Sequence, residues 1–189
     1  DNDGDLDVVA GGYQDSLRWS GSASLGGATT FSGAGGYWTT GPDPVVSFDS
    51  LLASLPSRAW RLREPATVVL RDGRYDLQGV SLGATDGSGS IKLDGAIPRS
   101  GPADLSVNIL GLQLRDVYTM LQLDTTGVSG NIQVDLAVGG TAASPTLRGS
   151  LTVGELSFGD FGSPFVQGVV DYADRRLDAN LLLWKTGEN

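Results

Sequence analysis

The chain has 189 residues, among them 28 glycines, 8 prolines, no cysteine and no histidine, and carries a formal net charge of −9. Without histidine or cysteine, Ser-His-Asp and Cys-His catalysis, the usual His-containing zinc sites and any disulfide framework are excluded within this chain. An acidic surface repels phosphate backbones, so nucleic acid is not an expected partner, and 40% regularly spaced apolar residues point to a turn-rich folded β protein rather than a disordered one.

The chain opens Asp1-Asn2-Asp3-Gly4-Asp5, with neither the basic n-region nor the apolar h-region of a signal peptide. No run approaches the roughly 18 apolar residues that a membrane span needs. The sequence therefore reads as an interior fragment of a longer protein, with any targeting signal or anchor outside it. Asp1, Asp3 and Asp5 alternate as oxygen ligands for Ca²⁺ do, which makes them a weak calcium candidate. Leu6 stands where an EF-hand loop needs glycine, and no second copy of the segment follows. The plainer reading is a polar turn entering a strand, and no cofactor is expected.

From there the period-2 pattern of half-buried strands dominates. Leu6, Val8 and Ala10 alternate with charged or small residues, and Leu17, Trp19, Ala23 and Leu25 follow. Gly33-Ala34-Gly35-Gly36 is not a phosphate loop, since no Lys-Ser/Thr follows it. Phe48, Leu51, Leu52 and Leu55 stand at i, i+3, i+4 and i+7, with Ser47 before and Pro56 after, so a short helix is predicted over 48–55. Val68 and Leu70 lead into the turn signal Asp72-Gly73. Leu77 continues the next run, and Val80 and Leu82 then stand one residue out of phase across Gly79, which predicts a bulge there. Asp86–Gly89 is a further turn; Ile91 and Leu93, then Leu105, Val107 and Ile109, form the next strands. Leu114, Val117, Tyr118 and Leu121 repeat the helical spacing and predict a second short helix over 114–121. Helices this short stand only if docked on something apolar.

Ile132, Val134, Leu136 and Val138 then run into the cassette Gly139-Gly140-Thr141-Ala142-Ala143-Ser144-Pro145-Thr146-Leu147-Arg148-Gly149-Ser150-Leu151. A Gly-Gly turn ends one strand, and Pro145 sits where the next begins, a place proline is tolerated. Leu147, Leu151 and Val153 form that next strand. Val166 and Val170 pair with Leu181 and Leu183 across Ala173-Asp174-Arg175. The whole amounts to about a dozen strands of roughly 7–11 residues. A closed sandwich, a barrel and an open curled sheet all fit such a pattern.

The cassette resembles the repeat boundary of the TamB/AsmA-like family of bacterial envelope proteins, where G-T-x-x-x-P-x-L-x-G recurs between strands. Trp60–Ala66, Val80-Ser81-Leu82 and Ile91–Pro98 are similar to that family's strand blocks, so the resemblance covers roughly Pro44 to Asn189. It implies a mainly β fold: an elongated antiparallel sheet curled into a U-shaped hydrophobic groove (a β-taco), here with two short amphipathic helices. Residues 1–43, 44–138 and 139–189 would be successive segments of that groove. It also implies a non-enzymatic role, carrying phospholipid acyl chains toward the outer membrane of a diderm bacterium. The chain would lie in the periplasm, anchored to the inner membrane and meeting an assembly-type β-barrel through parts outside this fragment. The groove lining would be the alternating apolar series named above, from Leu6 and Val8 to Leu181 and Leu183. A structural or adhesive extracellular β-sandwich or β-solenoid module is the alternative; it differs in sealing the apolar face. Asp72, Asp76, Asp86, Asp94, Asp171 and Asp174 are candidates for paired-carboxylate chemistry only by residue type. Their places in turns and on the polar phase of strands suit solvated surface. Trp19, Trp38, Trp60 and Trp184 are spaced too widely to argue for a sugar-stacking platform over core or rim positions.

Overall fold

The structure, a computed structural model, describes residues 5–13, 15–25, 29–141 and 143–184. These form β1 (Leu6–Tyr13), β2 (Ser16–Leu25), β3 (Thr29–Trp38), β4 (Val45–Ser54), β5 (Ala59–Leu62), β6 (Ala66–Arg71), β7 (Arg74–Ala84), β8 (Ser90–Pro98), β9 (Asp104–Gln113), α1 (Leu114–Met120), β10 (Val128–Gly140), β11 (Pro145–Phe158), β12 (Phe161–Ala173) and β13 (Arg176–Trp184). All 13 strands belong to one sheet, in which successive strands along the chain are neighbours except β5 and β6. Every ladder is antiparallel, as tight hairpin connections require. β5 and β6 share one place in the order: each pairs with β4 on one side and β7 on the other. The interruption falls at Arg63-Glu64-Pro65, and Pro65 has no N–H to give a ladder.

The hairpin turns follow from their residues. Asp72 and Gly73 both have positive φ (49° and 73°), the two-residue geometry whose twist matches the flanking strands. Asp174 and Arg175 adopt the same geometry (53° and 62°) without a glycine. In the cassette, Gly140 pairs with Pro145, and Thr141 and Ser144 exchange two backbone hydrogen bonds of 3.1 Å. Pro145 therefore opens β11, where the sequence places it.

The bulge expected at Gly79 is present. The register between β7 and β8 slips between Leu77 and Val80, and Gly79 has φ +71°. The slip returns Val80 and Leu82 to the face that Leu77 occupies.

The helix expected over 48–55 is not formed; the segment is β4. A second bulge explains the misleading spacing. Gly35 pairs with Phe48 and Ala34 with Ser50, so Asp49 is an extra residue in β4. Phe48 and Leu51 then share a face of the sheet although three positions apart, which imitates a helical repeat. Leu52 points to the other face and is exposed. The second expected helix is present as α1, but Leu121 only caps its end and is exposed, leaving Leu114 and Val117 to dock. The fold is thus mainly β, with one large antiparallel sheet and one helix.

Candidate functional site

Successive side chains on a strand alternate between faces, and directly paired residues share a face. The ladders can therefore be followed across the molecule. One row runs Leu62, Leu82, Ile91, Ile109, Val134, Leu151, Gly168, Leu181. The next runs Leu93, Val107, Leu136, Gly149, Val170, Ala179. On the other half, Val8 pairs with Gly21, Gly21 with Gly33 and Gly33 with Leu51. Every residue of the alternating apolar series, from Leu6, Val8, Leu17 and Trp19 through Leu105, Leu147, Val153 and Val166 to Leu183, falls on this one face. The opposite face carries Arg18, Arg61, Lys92, Asp94, Asp135, Arg148 and Asp171.

The apolar face is covered unevenly. Under α1, Ile132, Val153 and Val166 are buried, with Leu112, Leu114, Val117 and Leu156 packed on them. Tyr118 of α1 also meets Phe158 at 6.4 Å between ring centres. Away from the helix the face opens: most of its side chains are half-buried, and toward the edges Leu6 is 75% and Leu181 51% exposed. An open, almost wholly apolar hollow of about 350 Å³ lies over Gly21 and Gly33, bounded by Val8, Trp19, Leu51 and Leu82.

The glycine-rich run of β3 has a packing role here. A Cβ on Gly35 would stand 2.9 Å from Trp19 Cζ2 on the apolar face, and one on Gly36 would stand 2.7 Å from Trp38 Cη2. Tyr37 pairs with Leu17, so Trp38 belongs to the polar face, and adjacent glycines let one indole lie on each side of β3. Trp19 also meets Phe48 edge-on at 5.6 Å. Trp60 is buried at the β5 end of the apolar face, and Trp184 lies on the polar face. The four tryptophans therefore form no common platform.

Asp116 was not singled out by the sequence. It is fully buried in α1, and its Oδ1 accepts the Ser57 N–H at 3.0 Å. That bond ties α1 to the turn between β4 and β5. A single aspartate between Leu114 and Val117 gives no sequence signal for such a contact, because its partner is a backbone group 59 positions away.

The carboxylates weighed for paired chemistry lie apart, on turns and on the polar face. Asp43 pairs with Arg71 at 2.7 Å, Asp76 with Arg74 at 2.6 Å and Asp171 with Arg148 at 2.7 Å. Asp72 and Asp174 sit at hairpin turns, and Asp94 is on the polar face opposite Ser106. Asp86 accepts hydrogen bonds from the Ser88 hydroxyl and N–H, which hold its carboxyl below the usual carboxylate range. Of the calcium candidates, Asp1 and Asp3 lie outside the described residues, and Asp5 precedes β1 as an exposed residue. Among the described residues no group of three or more His, Cys, Asp or Glu side chains is placed to hold a metal, and no helix is long and apolar enough to cross a membrane.

Comparison with family models, with curated proteins and with solved structures returns no match.

Proposed function

We propose that this chain is a lipid-conduit segment of a TamB/AsmA-like envelope protein, a non-enzymatic bridge across the periplasm whose apolar sheet face carries phospholipid acyl chains toward the outer membrane. One observation carries the reading: a single apolar face runs without a break through the whole sheet, and most of it is not buried by the chain's own residues. A soluble protein rarely leaves so long an apolar surface without a partner. Twelve strands on the main path at ~4.8 Å make a wall on the order of 55 Å. That exceeds the ~30 Å hydrocarbon thickness of a bilayer, so lipids could sit in file. Each CH₂ taken from water by such a wall gains about 0.8 kcal/mol.

Curling of the sheet into a trough is part of this proposal. Two contacts support it. Leu82 of β7 borders the same hollow as Val8 of β1, and the β4–β5 turn reaches α1 between β9 and β10. Inside such a trough the backbone groups are satisfied by the ladders, and head groups can protrude through the open side. In the family, partners outside this segment would include an outer-membrane assembly-type β-barrel.

Photo-crosslinkers at Leu93, Val107 and Leu151, all on the apolar face, should capture phospholipid in cells. Capture of protein alone at all three positions would reject the conduit and favour a structural or adhesive β module with a sealed face.

A further inference from the structure

One part of the apolar face has a cover that no ladder holds in place. α1 lies wholly inside the β9–β10 connection, and those strands pair from Gln113 opposite Asn131 onward. Lifting α1 breaks none of their pairs. Its seat is the row Ile132, Val153, Val166, which lies on the adjacent strands β10, β11 and β12. Two residues farther along the same strands, on the same face, stand Val134, Leu151 and Gly168, and beyond them Leu136, Gly149 and Val170. Seat and open face are one continuous apolar surface.

Few interactions hold the cover down. Leu114 and Val117 pack on the seat, Tyr118 meets Phe158 at 6.4 Å, and Asp116 accepts the Ser57 N–H. Asp116 Oδ2 is buried with no hydrogen-bond partner among the described residues, which disfavours the docked state. The helix adds little stability of its own. It has seven residues, no side-chain bond at its N-cap residue Gln113 and no basic residue in its last turn. A helix this short does not persist in water without apolar support. α1 is therefore helical while docked and unravels when lifted.

We propose that α1 is a displaceable lid on the acyl-chain path, an inference that rests on the lipid reading above. Docked, the lid confines hydrocarbon to the rows from Leu136 and Leu147 outward. Lifted, it bares Ile132, Val153 and Val166, and a lipid tail takes the place of Leu114 and Val117 there. The exchange is apolar for apolar, so the seat needs no rearrangement of the sheet to accept it. Apparent affinity of the seat falls in proportion to the fraction of molecules in which the lid is down. A change in α1 therefore shifts occupancy of the seat and leaves that of Leu136 and Leu147 unmoved.

The test irradiates the purified protein with palmitic acid carrying a diazirine in its chain, and reads the labelled positions by tandem mass spectrometry. The unchanged protein should be labelled at Leu136 and Leu147 and only weakly at Ile132 and Val153. Val117→Asp sets a carboxylate against the seat, so it should lift α1 and raise labelling at Val153 relative to Leu147 by about tenfold or more. Gln113→Ser moves the lid the other way. Its hydroxyl supplies the missing N-cap bond and should lower the same ratio about fivefold. This second variant only strengthens α1, so it decides the question even if Val117→Asp loses its fold. Labelling of Val153 as strong as that of Leu147 in the unchanged protein, or a ratio that neither variant moves, would overturn the lid and leave the lipid reading standing. An apolar face that takes no label in any of the three proteins would overturn the lipid reading and the lid with it.

Discussion

The apolar face is the same kind of surface under α1 and away from it, yet the two regions behave differently. Beneath the helix Ile132, Val153 and Val166 are buried like core residues. On the same rows of the ladder, Leu183 beside Val166 and Leu181 beside Gly168 stand open to solvent. Residue type, strand alternation and register are alike in both places. A seven-residue helix packs on the first, while the second lies on β13 at the end of the described sheet. Burial on this sheet is therefore decided by what lies on the face, and stability should concentrate where α1 does.

The largest effect should come from a charge in each region. Ile132 is a buried member of the cluster beneath α1, whereas Leu93 lies on the half-buried, helix-free part of the face. In Ile132→Arg an unpaired cation meets a covered site, and the loss should reach several kcal/mol. That is a large part of the roughly 5–15 kcal/mol that holds a domain together. In Leu93→Arg the long side chain can reach water, so the fold should survive with a melting temperature close to that of the unchanged protein. In the conduit reading its lipid passage should nonetheless fail in an envelope-integrity assay. Thermal melts of the two variants side by side check the contrast, and equal destabilisation would mean that the face is sealed throughout.

A smaller effect should follow from releasing α1. Asp116→Ala removes the acceptor of the Ser57 N–H at the exposed β4–β5 turn, a net loss of about 0.5–1.5 kcal/mol. For a chain of this length each kcal/mol lowers Tm by about 2–4 °C. The same variant should speed hydrogen exchange in β10 and β11 beneath the helix and leave β1 and β2 unchanged. Uniform acceleration across the sheet would show that α1 does not mark a separate stable region.

The smallest effect lies outside both regions. The Asp86 carboxyl titrates below the ordinary aspartate value of 3.8 because Ser88 donates to it from hydroxyl and backbone. Its folded-state pKa lies below the unfolded one. Whatever it contributes to stability is then present above pH 3.8 and fades as pH falls through the lower folded value. Ser88→Ala should move the Asp86 midpoint upward in a carboxyl-detected NMR titration while the melting temperature near neutral pH barely changes. An unmoved midpoint would assign the depression to some other neighbour.

Most of the sheet was legible in the residues. Alternation named the members of the apolar face, and the phase shift at Gly79 announced its bulge, because a one-residue slip would otherwise turn Val80 and Leu82 to solvent. The cassette placed a turn between Gly140 and Pro145. The segment 48–55 was not legible. Its apolar residues fit a helix and a bulged strand equally, and only pairing with β3 and β6 selects the strand. The hollow beside Trp19 was likewise hidden, since it depends on Gly21 and Gly33 meeting across neighbouring strands.

By itself, then, the sequence determined a mainly β chain with one apolar and one polar side, and its lack of histidine and cysteine removed the usual nucleophilic and zinc chemistry. It did so because strand alternation is a local property, written two residues at a time. Only the tertiary structure decided that the strands form one sheet, that α1 lies against β9 and β10, and that Asp116 meets Ser57. Those outcomes depend on contacts between distant parts of the chain, where similar runs of Leu, Ile and Val can be covered or left bare according to what packs against them.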